Sequence, residues 1–334
     1  MQETSQSKDA HSLTPGSQDA SMDARSSVAI LLSLYNGAPY LQQQLASLLQ
    51  QTRADWTLYW RDDGSTDASI ALMRQFTEQV GEKRCVELAA HNGEHMGVTA
   101  SYAALLAHTP PGSAIAFCDQ DDVWFPDKLA RGLSALASVP GHIPALYCAR
   151  QTLTNGTLKP KGLSPRLPEK SCFLAAMTQN IATGCTLMLS PAARALLLQA
   201  MPAPTFLLHD WWAYLMVTGA GGRVLTDNQP ALFYRQHGQN AVGAPTLFLH
   251  RALAALKRGP SVFMTIFRSS VLYLLERQPL LTPDTIRSLR VLQAAQQPGW
   301  RGHLSRFSAL RKLPQLRRHK MLEQLVFRVW FLLG

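Results

Sequence analysis

The stretch Ala114-Ile-Ala-Phe-Cys-Asp-Gln-Asp-Asp-Val-Trp-Phe-Pro-Asp127 begins as an apolar run and breaks abruptly into three carboxylates, Asp119, Asp121 and Asp122. A short continuous apolar run bounded by polar residues reads as a strand buried on both faces. Like charges this close together require a compensating cation. Carboxylates are hard oxygen ligands suited to Mg²⁺ or Mn²⁺, and an ion held by only one or two of them keeps positions open for phosphate oxygens. The local reading is a metal-diphosphate site at a strand end.

Other readings compete with it. An EF-hand loop fails, because its sixth position is Trp124 where the turn needs Gly and its twelfth is Ala130 where it needs a bidentate Glu. The nucleophile motif of a haloacid-dehalogenase phosphatase fits Asp119 to Val123 locally, but that motif opens its domain and here three strand-helix pairs come first. A solvated acidic loop capping the helix that starts near Pro126 also stays open, since Asp before an apolar run is a common N-cap.

Working outward, Val28 to Leu34 is another apolar run, followed by the turn Tyr35-Asn36-Gly37 and a helix pattern through Leu41, Leu45, Leu48 and Leu49. Trp56 to Arg61 reads as a second strand, with Asp62-Asp63-Gly64-Ser65-Thr66-Asp67 as its loop and N-cap and a helix through Ile70, Met73 and Phe76. Cys85 to Ala89 and Gly97 to His108 repeat the unit. Strands alternating with helices predict an α/β fold with a mostly parallel sheet, helices on both faces, and ligands at the carboxyl ends of the strands. Further on, Ile143 to Ala149 reads as a strand and Thr152 to Lys170 as an exposed loop. Thr183 to Leu189 reads as a strand, Pro191 to Ala200 and His209 to Thr218 as helices, and Arg223 to Leu225 or Ala231 to Arg235 as the last strand.

Residues 1–26 are rich in Ser, Gln, Asp and Ala and predict a disordered arm without the apolar core of a secretory signal. No apolar run is long enough to span a membrane, so the expected location is the cytoplasm, including the inner face of the membrane. Five widely spaced cysteines without a Cys-x-x-Cys pair are expected to be reduced, and Cys118 and Cys148 buried. The net charge of +10 is uneven: residues 245–334 hold 15 Lys and Arg against 3 Asp and Glu. A near-neutral body therefore carries a cationic tail.

Five islands, in order, resemble the inverting family-two glycosyltransferases of GT-A fold, especially their rhamnosyltransferase-like branch. They are Ser33-Leu-Tyr-Asn-Gly37, Asp62-Asp-Gly-Ser-Thr-Asp67, Cys118-Asp-Gln-Asp-Asp-Val-Trp124, His209-Asp-Trp-Trp212 and Tyr234-Arg-Gln-His-Gly-Gln-Asn240. The resemblance implies a glycosyltransferase domain over 27–243, between the 1–26 arm and a helical, basic 244–334 region. It further implies nucleotide-sugar contacts at Ser33, Asp63, Asn92 and Asp119, and metal contacts for Mg or Mn at Asp121 and His237. Asp210 is implied as the general base that takes the acceptor hydroxyl's proton, and Trp211 as an acceptor contact. The implied activity is metal-dependent transfer of a sugar, rhamnose among the candidates, from a nucleotide-diphosphate donor to a surface polysaccharide or lipid-linked glycan. On residue chemistry alone, Asp63 and Asp210 equally suit helix N-caps, and the aromatics suit a core.

In the tail, Leu322, Leu325, Val326, Val329, Trp330 and Leu333 share one helical face and Arg317, Arg318, Lys320, Gln324 and Arg328 lie mostly on the other. This amphipathic helix suits an anionic membrane surface and suits packing on its own domain equally. No motif supports nucleic-acid binding. Two rival functions stand beside the transferase. A nucleotidyltransferase predicts a basic, Gly-rich triphosphate loop, whereas Tyr35-Asn-Gly-Ala-Pro39 has no basic residue. A catalytically silent, membrane-bound partner protein predicts that the acidic residues are dispensable.

Overall fold

The computed structural model describes residues 27–88, 94–238 and 248–334, with 248–260 known by backbone alone. The predicted arm 1–26 lies outside the described residues.

The described chain opens with three strand-helix units: β1 (Val28–Leu34), α1 (Ala38–Leu49), β2 (Trp56–Asp62), α2 (Ser69–Val80), β3 (Cys85–Glu87) and α3 (Val98–His108). β4 (Ala114–Cys118) then pairs in parallel with β1, whose other edge takes β2, giving the order β3-β2-β1-β4. The apolar runs of β1 and β4 are buried because helices cover both faces.

The second half is mixed. β5 (Val123–Trp124), α4 (Lys128–Ala137), β6 (Ala145–Thr154), β7 (Pro160–Leu163) and α5 (Phe173–Thr178) lead to β8 (Met188–Leu189), α6 (Pro191–Gln199), α7 (His209–Gly219) and β9 (Arg223–Arg235). β8 runs antiparallel between β4 and β6, β9 runs parallel to β6, and β5 and β7 add antiparallel edges. The continuous parallel pairing expected from the first three units thus stops at β4, and beyond it the parallel pair β6–β9 stands among antiparallel ones. The stretch Thr152 to Lys170, expected as a loop, contains the end of β6 and all of β7. Of the strand expected over Thr183 to Leu189, only β8 is extended, and Gly184–Thr186 forms a 3₁₀ turn. The two alternatives for the last strand are one 13-residue strand. Its register slips between Asp227 and Pro230, where proline, lacking an N–H, is tolerated at an irregularity. Arg131 of α4 ties this irregular stretch down, bonding Asp227 Oδ2 through Nε at 3.0 Å and donating to the Pro230 carbonyl.

The C-terminal region is helical as expected: α8 (Phe248–Leu275), α9 (Pro283–Ala294), α10 (Gly299–Lys312) and α11 (Met321–Leu333). It does not form a separate core. Met264, Phe267, Val271 and Leu274 of α8 join Leu215 and Met216 of α7 and Ile115 of β4 in one buried cluster. Backbone bonds cross the junction as well, Thr282 N donating to the Gly219 carbonyl at 3.0 Å.

Candidate active site

β1 lies at the centre of the site. Its register sets Leu34 opposite Asp62 and Leu32 opposite Cys118, so the loops after β2 and β4 leave the sheet on either side of the β1 end. After β2, Asp62 Oδ2 accepts from the amides of Gly64 and Ser65 at 3.0 and 2.9 Å, making the turn. Asp63 is buried and does not cap α2. Its carboxylate accepts from Arg61 Nη1 at 2.6 Å and from the amides of Met96 and Gly97 at 2.8 and 3.0 Å, pinning the turn before α3. Gly97 has a φ of +80°, a conformation that glycine adopts without strain. Ser33 Oγ donates to Ser101 Oγ at 2.8 Å, and Arg61 reaches the same Ser101 hydroxyl at 3.2 Å. Ser33 and Asp63 therefore share one buried network. Asn92 lies outside the described residues.

The three carboxylates after β4 meet three different environments. Asp119 bonds the Tyr102 hydroxyl of α3 at 3.0 Å, and enclosure in protein raises its pKa, with the charges of Asp121 and Asp210 adding to the rise. Asp121 Oδ2 lies 2.7 Å from His237 Nε2, and the imidazole packs on Tyr40 with ring centroids 4.5 Å apart. Strand pairing makes that meeting: Val123 of β5 sits opposite Phe233 of the antiparallel β9, which brings the loop before β5 and the loop after β9 to the same edge. Arg235 reinforces it, donating from Nε to the Asp121 carbonyl at 2.7 Å while its guanidinium covers Tyr40.

Asp122 is fully buried, accepts from the Arg235 amide at 3.2 Å, and has its pKa raised by burial and then by Asp121 and Asp119. Its bond from the Arg235 amide ties the loop to the end of β9. Asp119, Asp122 and Cys185 come within 4.8 Å of one another. Burial also keeps the Cys185 thiol protonated, so this trio is a poor grip for a hard ion. Asp119, Asp121 and His237, at the more open side of the loop, offer the donors that suit Mg²⁺ or Mn²⁺ beside phosphate oxygens. Lys128, buried with its ammonium 3.2 Å from the Trp124 ring centroid, adds positive charge behind the acids, although burial lowers its pKa to about 8.

Asp210 lies inside the first turn of α7, one residue past its start, so it is not the N-cap; Leu208 is. Its carboxylate accepts from the Gly184 amide at 2.9 Å and from the Trp211 amide at 2.6 Å. Burial nevertheless raises its pKa from 3.8 to about 6, with the two amide bonds pulling the other way. That value suits a base working near neutral pH. The preceding His209 is stacked on Tyr102, ring centroids 4.1 Å apart, and burial lowers its pKa to about 3, so it is neutral. Tyr102 thus touches both the Asp119 loop and the start of α7. Trp211 is half-buried, its indole Nε1 donating to the Ala176 carbonyl at 2.8 Å, which fixes the ring against α5.

Several positioning groups escaped the sequence reading. Tyr102 sits on the apolar side of α3 with Leu105 and Leu106 and reads as core. Tyr40 reads as a helix surface residue, Arg61 as a strand terminus, and Gly184 as part of a strand. Only Arg61 carried a signal: a charged residue inside an otherwise apolar strand is buried only when paired.

A sheet whose parallel half ends in acidic loops, beside a helix that starts with a carboxylate, has the layout of a GT-A fold. Residues 29–173 match the family described as Glycosyl transferase family 2. The chain is similar to the glycosyltransferase alr2836 of Nostoc sp., at 28% identity over 64% of this chain and 66% of that protein. It is also similar to the dTDP-rhamnosyl transferase RfbG of Shigella flexneri, at 23% over 65% of this chain and 75% of that one. A third relative is the UDP-Glc:alpha-D-GlcNAc-diphosphoundecaprenol beta-1,3-glucosyltransferase WfgD of Escherichia coli, at 24% over 57% and 69%. Aligned stretches thus span about two thirds to three quarters of these relatives. In fold it is similar to S. aureus TarS 1-349, solved in complex with UDP-GlcNAc, with a TM-score of 0.57, 12% identity, and 87% of this chain and 83% of that one covered.

Proposed function

We propose that this glycosyltransferase moves a sugar from a nucleotide-diphosphate donor to a polysaccharide or lipid-linked glycan acceptor by a single inverting displacement, with a divalent metal at the diphosphate. The observation that carries this reading is that Tyr102 bonds Asp119 at 3.0 Å and stacks at 4.1 Å on His209, the neighbour of Asp210, which supports donor-binding acids and a candidate base around one cleft. Relatives named for dTDP-rhamnosyl and UDP-glucosyl transfer support the donor class, and leave rhamnose as one candidate sugar among several.

Ser33 and Asp63 stand where the nucleoside would lie, held ready by Arg61 and Ser101. Asn92 is proposed as a further nucleotide contact on the strength of the resemblance alone. Asp119 would approach the ribose and diphosphate, and Asp121 with His237 would hold Mg²⁺ or Mn²⁺. When bound, such an ion neutralises the charge that grows on the diphosphate as the glycosidic bond breaks. Asp210, ionised above its pKa, accepts the proton of the acceptor hydroxyl as that oxygen attacks the anomeric carbon from the face opposite the diphosphate. The Gly184 and Trp211 amides keep its carboxylate aimed. Trp211, anchored at its indole nitrogen, presents the remainder of its ring to the acceptor. The enzyme would work in the cytoplasm, at the inner face of the membrane that carries a lipid-linked acceptor.

A donor-hydrolysis screen across common nucleotide sugars with Mg²⁺ and Mn²⁺, with the Asp121→Ala protein as blank, tests this reading. Metal-dependent release of nucleoside diphosphate by the wild type alone supports it; release of pyrophosphate from a nucleoside triphosphate would support the nucleotidyltransferase instead.

A further inference from the structure

We propose that α10 and α11 together form a docking surface for an anionic lipid bilayer. α10 packs inward through Gly302, Arg306 and Ala309, and on its opposite side Trp300, Leu304 and Phe307 follow one another at helical spacing. These three are 67%, 61% and 56% exposed. α11 repeats the pattern. Phe327 and Phe331 pack against Phe267 of α8, while Leu322, Leu325, Val329 and Leu333 on the other side are each about half or more exposed. The apolar face read from the sequence is not the packed one: the domain takes Phe327 and Phe331, and Leu322, Leu325, Val329 and Leu333 are left in water.

The two stripes belong to one layer. α10 packs on α9 and α11 on α8, the pairs α8–α9 and α10–α11 touch, and His303 of α10 lies 2.9 Å from the Leu332 carbonyl of α11. Faces opposite the packed sides of two adjacent outer helices therefore look outward together. Apolar surface spread over two helices in this way is uncommon on a protein that keeps to itself.

Charge selects the occupant. Residues 299–334 contain eight Lys and Arg and one acid, Glu323, which Arg318 holds at 3.3 Å. Arg301, Arg311, Lys312 and Arg328 are exposed around the stripes. A second copy of this chain would set two cationic rims against each other. Nucleic acid would satisfy the cations and leave the leucines wet. An anionic bilayer satisfies both, with phosphate headgroups at the basic rim, acyl chains at the stripes and the Trp300 indole at the boundary. Among the described residues no helix is long and apolar enough to cross a membrane, so contact of this kind lies on the surface. This inference does not rest on the transfer reaction, and vesicle binding tests it without any donor.

The full chain is mixed with phosphatidylcholine vesicles, with and without phosphatidylglycerol, and bound protein is separated by flotation. Two double variants accompany the wild type, Leu304→Glu with Leu325→Glu and Arg311→Glu with Arg328→Glu. The wild type is expected to bind the phosphatidylglycerol vesicles roughly tenfold more tightly than the neutral ones and to lose that preference in high salt. Each double variant is expected to weaken binding roughly tenfold or more with circular dichroism and donor hydrolysis unchanged. Absence of wild-type binding, or binding undiminished in both variants, overturns the proposal. So does a wild-type dimer that the leucine variant dissociates while no vesicle is bound.

Discussion

Asp122 and Leu325 stand at opposite ends of a pattern that runs through the whole molecule. The carboxyl of Asp122 has no exposure at all, whereas Leu325 is 60% exposed. Around the cleft, groups that prefer water are enclosed: Arg61, Asp63, Lys128 and Asp210 are buried with ionisable side chains. On the outer helices, groups that avoid water are left in it. Enclosure shifts the pKa of a carboxyl, strengthens every electrostatic contact and holds geometry, which is what a reacting centre needs. Exposure of leucine and tryptophan raises the free energy of the free protein and is relieved only by a partner. Each region gives up some stability of the isolated fold, the first for the proposed chemistry and the second for the proposed contact.

The largest test of the contrast is Asp210→Asn. Loss of the proposed base should lower transfer by roughly a thousandfold or more, measured as turnover with saturating donor and acceptor. The same change should leave the fold intact or firmer. A carboxyl whose folded pKa lies above its unfolded value loses stability as pH rises from one to the other, here from 3.8 to about 6. At pH 7 that cost is at most about 3 kcal/mol, reduced because Asn keeps only part of the amide bonding. Urea unfolding at pH 7 should show a gain, and a clear loss of stability would break the idea that burial strains this carboxyl. For the wild type, kcat/KM should rise with pH through about 6 as Asp210 ionises, and Asp210→Asn should flatten that limb.

Next in size is Asp121→Ala, expected to reduce metal-dependent donor hydrolysis by roughly a hundredfold and to weaken Mn²⁺ binding measured by calorimetry. Unchanged metal affinity would move the ion to other ligands. Arg61→Met follows. It leaves the Asp63 carboxylate buried without its Arg61 partner, so chemical denaturation should show a loss of about 3 kcal/mol, part of it recovered when Asp63→Asn is added, which removes the charge and keeps an acceptor for the Met96 and Gly97 amides. Recovery without return of donor binding would separate the structural part of Asp63 from its part in the nucleotide site.

Gly184→Ala should be milder. A Cβ there would lie 2.8 Å from His209 Nε2 and 3.6 Å from Asp210 Oδ2, so the start of α7 must shift. A loss of roughly tenfold in kcat with little change in donor KM is expected, since a small displacement of a catalytic group is costly. The smallest effect belongs to the outer layer: Leu325→Ser should change unfolding free energy by less than about 0.5 kcal/mol. A large destabilisation would mean that the exposed stripe already has an intramolecular partner, and the contrast between the two regions would fail.

The alternation of apolar runs with helical patterns was enough to place β1, β2, β4 and the helices between them, because buried parallel strands and amphipathic helices carry strong local periodicity. The same runs set Asp63 and Asp119 at strand ends, where an α/β sheet opens its ligand site. Local pattern could not reveal β8 or the continuity of β9, since a two-residue strand has no period and the irregularity at Asp227 to Pro230 resembles a break. The Asp63 role was half legible: its position was plain, but its bonds to the Met96 and Gly97 amides depend on where α3 begins.

Residue order alone fixed the division into a near-neutral α/β body and a basic helical tail, and it marked Asp119, Asp121, Asp210 and His237 as chemistry-bearing. Only the folded chain decided that Asp121 meets His237, through the pairing of β5 with β9 across more than a hundred residues. It also decided which face of α11 is covered, because an amphipathic stripe records that a residue is apolar and not which neighbour reaches it first. Phe327 and Phe331 found α8; Leu322, Leu325, Val329 and Leu333 found nothing within the described residues to shield them fully. Contacts of that kind are set by packing at a distance, where sequence proximity carries no information.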